Sequence, residues 1–142
     1  MTIAAILESK GDEVIDVAGE ASVGEAVALL AGRRIGALPV TEGGRVVGMF
    51  SERDVIYGLA RDGGALLARS VREVMTAPAH TVTPDVPVLA ALGLMTQRRV
   101  RHLPVVDGER LVGLVSIGDL VKMRIDRIEA EADAMRDYIQ TA

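Results

Sequence analysis

Cysteine and tryptophan are absent from this sequence, which carries one phenylalanine, two tyrosines and two histidines. The missing cysteine excludes disulfides, thiolate metal centres, iron–sulfur clusters and cysteine nucleophiles, and it fits a reducing compartment. His80 and His102 alone cannot build a His-rich metal centre, so no metal is expected. Few aromatics leave an aliphatic core and no platform on which single-stranded bases could stack. Residues 1–13 lack the basic start of a signal peptide, and no stretch approaches the ~18 apolar residues of a spanning helix. The chain therefore reads as soluble and cytoplasmic, with no membrane partner. With 16 Lys and Arg against 20 Asp and Glu, nucleic acid is a poor match as a partner, although 14 of those 16 cations are Arg.

What is present is a packable chain of 142 residues, 49% of them hydrophobic, enough for one domain or two small ones sharing a core. An internal repeat organises it. Ile35 to Asp54 lies over Val100 to Asp119 without a gap, at a constant offset of 65 residues. The register continues backward through Arg33-Arg34 over Arg98-Arg99, Ala26 over Ala91 and Val17 over Val82. Roughly 15 of about 44 aligned positions are identical. By this reading residues 1–62 form the first repeat with a leading helix, 63–76 a connecting helix or linker, 77–125 the second repeat and 126–142 a helical extension.

Each copy has the pattern β-α-β-β-α, giving an α+β fold. A short strand (Val14 to Val17; His80 to Thr83) precedes a helix with apolar residues at helical spacing: Val23, Ala26, Val27 and Leu30, then Val88, Ala91, Leu92 and Met95. Ser22 and Glu25 form a capping-box pattern, and Asp85 with Pro87 marks the second helix start. Two strands follow, Ala37 to Thr41 and Arg45 to Phe50 in the first copy, Leu103 to Val106 and Leu111 to Val115 in the second. Glu42-Gly43-Gly44 and Asp107-Gly108-Glu109 supply their turns. A second helix opens at Ser51 or Ser116. In the last of these helices Val121, Ile125, Ile128, Ala132, Met135 and Ile139 follow a 3.5-residue period. That seam either helps form a homodimer or packs on its own domain.

No catalytic set is visible. Ser51 and Ser116 have no flanking His and no G-x-S-x-G elbow, and neither a P-loop nor a G-x-G-x-x-G pattern occurs. The doubled Gly-h-h-Ser-x-x-Asp stands out, as Gly48-Met49-Phe50-Ser51-Glu52-Arg53-Asp54 and Gly113-Leu114-Val115-Ser116-Ile117-Gly118-Asp119. A strand ending in Ser at a helix start offers free N–H groups to a phosphate, and an Asp one turn later can accept from two ribose hydroxyls. The same spacing also describes an ordinary helix cap. Arg33-Arg34 and Arg98-Arg99 end predicted helices, where cations suit the dipole or could meet phosphate. The methionines read as core filler.

On the repeat, the Leu-Pro-Val strands and the doubled Ser-x-x-Asp motif, the chain resembles a tandem pair of cystathionine-β-synthase (CBS) domains, a Bateman module, over about residues 10 to 125. The resemblance implies two CBS repeats packed sheet to sheet with pseudo-two-fold symmetry. Clefts between them would bind an adenosine nucleotide such as AMP, ADP, ATP or NAD(H), S-adenosylmethionine or a cyclic dinucleotide. It places Asp54 and Asp119 on ribose hydroxyls, with Ser51 and Ser116 beside the ribose or phosphate. Gly36, Ala37, Leu38 and Pro39, with Arg101, His102, Leu103 and Pro104, would lie along the adenosine. Backbone near Ile15-Asp16 and His80-Thr81 would read the adenine edge, and Met49, Phe50, Leu114 and Val115 would form walls. The two sites differ: Arg53 can pair with phosphate where the second copy has Gly118, whereas Arg101-His102 replaces Gly36-Ala37, so unequal affinities are expected. The implied role is regulatory, without a catalytic cofactor: a nucleotide changes the geometry between copies, and an effector protein acting in trans reads the change. A ligand-independent dimerisation or scaffold module is the alternative, and an enzymatic reading fails for want of a catalytic barrel.

Overall fold

The computed structural model describes residues 1–11 and 13–141. Chain order is α1 (Ile3–Lys10), β1 (Val17–Ala18), α2 (Val23–Arg33), β2 (Ala37–Glu42), β3 (Arg45–Ser51), α3 (Glu52–Asp62), a 3-10 turn (Gly63–Ala68), α4 (Val71–Val74), α5 (Val88–Arg98), β4 (His102–Asp107), β5 (Arg110–Ser116) and α6 (Ile117–Thr141). The expected α+β architecture of two CBS-like repeats is the one found, with both hairpins in one sheet and the second unit's first strand reduced to a bridge. Hairpins β2–β3 and β4–β5 have matching registers, from Ala37 opposite Ser51 and His102 opposite Ser116. They join where Arg45 faces Arg110, giving the strand order β1-β2-β3-β5-β4. Gly43 and Gly44 both take positive φ in the first hairpin turn, as the type I′ form of a two-residue loop requires. The second turn needs it only at Gly108.

Helix starts follow their caps with one correction. Ser22 Oγ accepts from the Glu25 N–H at 3.1 Å, so α2 begins as expected. Asp85 does not cap α5: Pro87 is the N-cap residue, and the Asp85 carboxylate accepts instead from the Thr83 hydroxyl. The second copy's first strand is also shorter than expected. It survives as a single parallel bridge at Val82, whose N–H donates to Pro104 O at 3.1 Å.

Two separate aliphatic cores form, and each borrows from the segment that leads into the other copy. The first core gathers Val23, Leu30, Leu38, Val40 and Phe50 with Leu66 and Val71, which follow the first repeat in sequence. The second gathers Val88, Met95, Leu103, Val115 and Leu120 with Ile3 and Ile6 of α1. The leading helix, grouped by chain order with the first repeat, thus sits in space on the second. Equivalent hydrogen bonds hold both crossings. Ile3 N–H donates to Val86 O (2.9 Å) and Ala4 N–H to Pro84 O (2.8 Å), as Val71 does to Ala21 (2.8 Å) and Arg72 to Gly19 (2.9 Å). Neither unit completes its core alone, so the two copies fold as one body.

Helix α6 runs 25 residues, far past the second core. Val121, Ile125, Ile128, Met135, Tyr138 and Ile139 lie exposed along it, so the 3.5-residue seam does not pack on its own domain. Among the described residues no helix is long and apolar enough to cross a membrane.

Candidate functional site

Strand β3 ends at Ser51 in extended backbone (φ -133, ψ 168), and α3 starts at once. The chain reversal turns Asp54 back over the strand end: Ser51 N–H donates to Asp54 Oδ2 at 2.9 Å and the Ser51 hydroxyl to the same oxygen at 3.2 Å. The Thr76 hydroxyl, arriving from the linker, donates to Oδ1 at 3.0 Å. The carboxylate is held by neutral donors and joins no ion pair among the described residues. The Ser-x-x-Asp motif is therefore a helix cap whose acid also faces a cleft.

That cleft has a volume of about 720 Å³, within the usual range of ~300–1,000 Å³ for small-molecule sites. Gly36, Ala37, Met49, Ser51, Arg53 and Asp54 form one wall, His80, Arg101 and His102 belong to the facing copy, and all nine are residues the sequence singled out. Four arginines line it, Arg53 from the first copy and Arg98, Arg99 and Arg101 from the second. Arg99 stands at the C-terminus of α5 in the left-handed region (φ 55), as Arg34 does after α2 (φ 53). None of Arg53, Arg98, Arg99 and Arg101 forms an ion pair among the described residues. Burial pushes His102 below the usual imidazole range, against the opposing pull of Asp119, so its ring is neutral at pH 7. A Cβ on Gly36 would lie 3.5 Å from the Glu52 carboxyl and 3.6 Å from His102 Cε1, so the glycine keeps this part of the cleft open.

Other singled-out residues lie elsewhere. Leu38, Pro39, Leu103 and Pro104 are buried in the strands, and Phe50 and Val115 fill the two cores instead of lining a wall. Asp16 accepts from the Thr41 hydroxyl at 2.6 Å and, like Ile15 and Thr81, is outside the cleft. Glu52, Ile56, Tyr57, Thr76, Pro78, Ala79 and Val100 line it without having been singled out as ligand contacts. For the alternating strand residues the missing information is which face looks outward. For Thr76 no local signal exists, since the linker's path is set by tertiary packing.

Leu114, Ser116 and Asp119 form a second, unlike site. Ser116 N–H donates to Asp119 Oδ2 (2.8 Å) and Asp119 N–H to Ser116 Oγ (3.1 Å), completing a reciprocal capping box. Lys10 Nζ, at the end of α1, lies 2.8 Å from Asp119 Oδ2 and 2.8 Å from Leu114 O. Burial pushes the Asp119 carboxyl up, but hydrogen bonds from Lys10 and Ser116 with the lysine's charge hold it below the usual carboxylate range.

A model of the CBS domain matches residues 11–61 and again residues 71–126. The chain belongs to the CBS domain family. This CBS pair is 32% identical over 148 residues to the mitochondrial CBS domain-containing protein CBSX3 of Arabidopsis thaliana, covering 98% of this chain and 72% of that one. The crystal structure of the CBS-domain containing protein ATU1752 from Agrobacterium tumefaciens matches with a TM-score of 0.82 at 38% identity, over 87% of this chain and 99% of that one. The CBS domain pair of protein MJ0100, solved in complex with 5-methylthioadenosine and S-adenosyl-L-methionine, matches with a TM-score of 0.77 at 26% identity, over 87% and 98%.

Proposed function

We propose that this CBS pair is a regulatory module that binds an adenosine nucleotide in the cleft between its copies, with a preference for polyphosphates such as ATP and ADP. The observation that carries the reading is one cleft of about 720 Å³ holding Asp54 and four arginines, none of which joins an ion pair among the described residues. Asp54 accepts from the ribose hydroxyls, and the α3 start with Arg53, Arg98, Arg99 and Arg101 receives the phosphates. The neutral His102 ring packs on the nucleoside without adding charge. The solved MJ0100 pair, with its adenosine-containing ligands, supports the adenosine part of this reading. The arginines disfavour a cationic sulfonium such as that of S-adenosylmethionine. Because the walls come from both copies, a bound nucleotide ties them together and shifts the pair toward the geometry it binds best.

Calorimetric titration tests the phosphate arm. Arg53→Ala combined with Arg99→Ala is expected to weaken ATP binding roughly 25-fold, at about 1 kcal/mol for each exposed charged contact. Adenosine should be bound equally by both proteins. An equal loss for adenosine would contradict the assignment of these side chains to phosphate.

The exposed apolar seam of α6 supports homodimerisation of the module, through which an effector protein in trans would read the change. Ile128→Glu with Met135→Glu is expected to convert a dimer to a monomer in analytical ultracentrifugation while leaving ATP binding intact. An unchanged sedimentation coefficient would place the dimer interface elsewhere or show that none forms.

A further inference from the structure

The two Ser-x-x-Asp motifs are related by the repeat, yet their carboxylates meet different neighbours, and the cause is a difference in helix length. The hydrogen bonds of the two crossings match Ile3 with Val71 and Ala4 with Arg72, and packing matches Leu7 with Met75. A Cβ on Gly113 would lie 2.5 Å from Leu7 Cδ2, just as one on Gly48 would lie 2.7 Å from Met75 Sδ. Beyond this point the copies diverge. Helix α4 spans four residues and stops at Val74, after which Thr76 bonds Met49 as a strand would. Helix α1 spans eight, and its extra turn carries Lys10 over β5 before Gly11 ends it at φ 95.

We infer that Lys10 is the built-in occupant of the second diol-binding position, so that the native chain holds one nucleotide and a second adenosine site lies latent at Ser116 and Asp119. The inference rests on the nucleotide reading of the first cleft. An ammonium bonded to a carboxylate and a carbonyl makes charge-assisted hydrogen bonds, which neutral ribose hydroxyls do not match. Displacing it breaks both bonds and returns the exposed lysine to water. Two of the cations that serve the first cleft have no free counterpart here. Gly118 stands for Arg53, and Arg33, the counterpart of Arg98, is paired with Glu13 at 2.8 Å, whereas Arg34 keeps the place of Arg99. A ligand therefore gains less there to offset the loss of Lys10. The latent site suits adenosine with few phosphates.

AMP titrations of ligand-stripped protein, read as moles bound per mole of chain, test this. Wild type is expected to bind one AMP and Lys10→Met, which keeps the aliphatic stem on the sheet, two. Asp119→Asn in the Lys10→Met background returns the value to one, and Asp54→Asn in that background leaves only the latent site. Two AMP per wild-type chain, or one in both wild type and Lys10→Met, overturns the inference while leaving the first cleft's reading intact. Binding by Lys10→Met with none by wild type overturns the reading of the first cleft and the one-nucleotide count that rests on it, while leaving Lys10 as the occupant of the second position. No binding by either protein overturns both.

Discussion

Asp54→Asn is expected to weaken ATP binding about 100-fold, with cooperative melting retained. The carboxylate already accepts from Ser51 and Thr76, so a substitution must be chosen that preserves the cap. Asparagine keeps the shape and one acceptor oxygen, which can still take the Ser51 N–H from the N3 position of the capping box. Two ribose hydroxyls lose a charged acceptor, at about 1.5–3 kcal/mol for each charge-assisted bond, partly recovered by the amide oxygen. A net loss of about 3 kcal/mol corresponds to the 100-fold change. Calorimetry on the variant beside wild type checks it, and unaltered affinity in a folded Asp54→Asn would reduce the motif to a helix cap and favour the scaffold reading.

Phe50→Ala is expected to cost about 3–5 kcal/mol of stability, because a large fully buried ring leaves a cavity its neighbours fill only in part. Phe50 is the only phenylalanine in the chain and is 0% exposed. It shares a core with Leu38, Val40, Leu66 and Val71, so it ties β3 to the linker that delivers Thr76 to Asp54. Thermal melts should fall by roughly 10–15 °C for a chain of this size. Hydrogen exchange should show the loss first in β2, β3 and the turn at Gly63–Ala68, since the second core shares no residue with the first. A melting temperature within a few degrees of wild type would mean that Phe50 does not hold the first core together as described.

The repeat made the architecture legible in advance, because a constant offset aligns caps, turns and strands at once. Its two hairpins and the helix starts at Ser51 and Ser116 are where periodicity and turn chemistry put them. Side-chain direction was harder to read. Leu38 and Leu103 lie in the motif but inside the cores, since alternation in a strand does not by itself tell which face meets the ligand. Arg98 and Arg99 had an adequate local explanation as helix-end cations, and only the facing copy turns them into a cleft wall. Lys10 lay outside the aligned repeat. A lysine before a glycine at a helix end has nothing unusual about it, and its role follows from α1 crossing to the other core, which local periodicity cannot encode.

The central claim is that the cleft at Asp54 is a site for adenosine polyphosphates. The most direct test is a thermal-shift panel of AMP, ADP, ATP, NAD+, NADH and S-adenosylmethionine on ligand-stripped wild-type protein, beside Asp54→Asn. A ligand at 100 times its Kd stabilises by about 2.7 kcal/mol, a shift of several degrees here. The account predicts that ATP and ADP raise the melting temperature most, that S-adenosylmethionine raises it least, and that Asp54→Asn removes the rise. No rise with any adenosine ligand, or a rise that Asp54→Asn leaves intact, would contradict it.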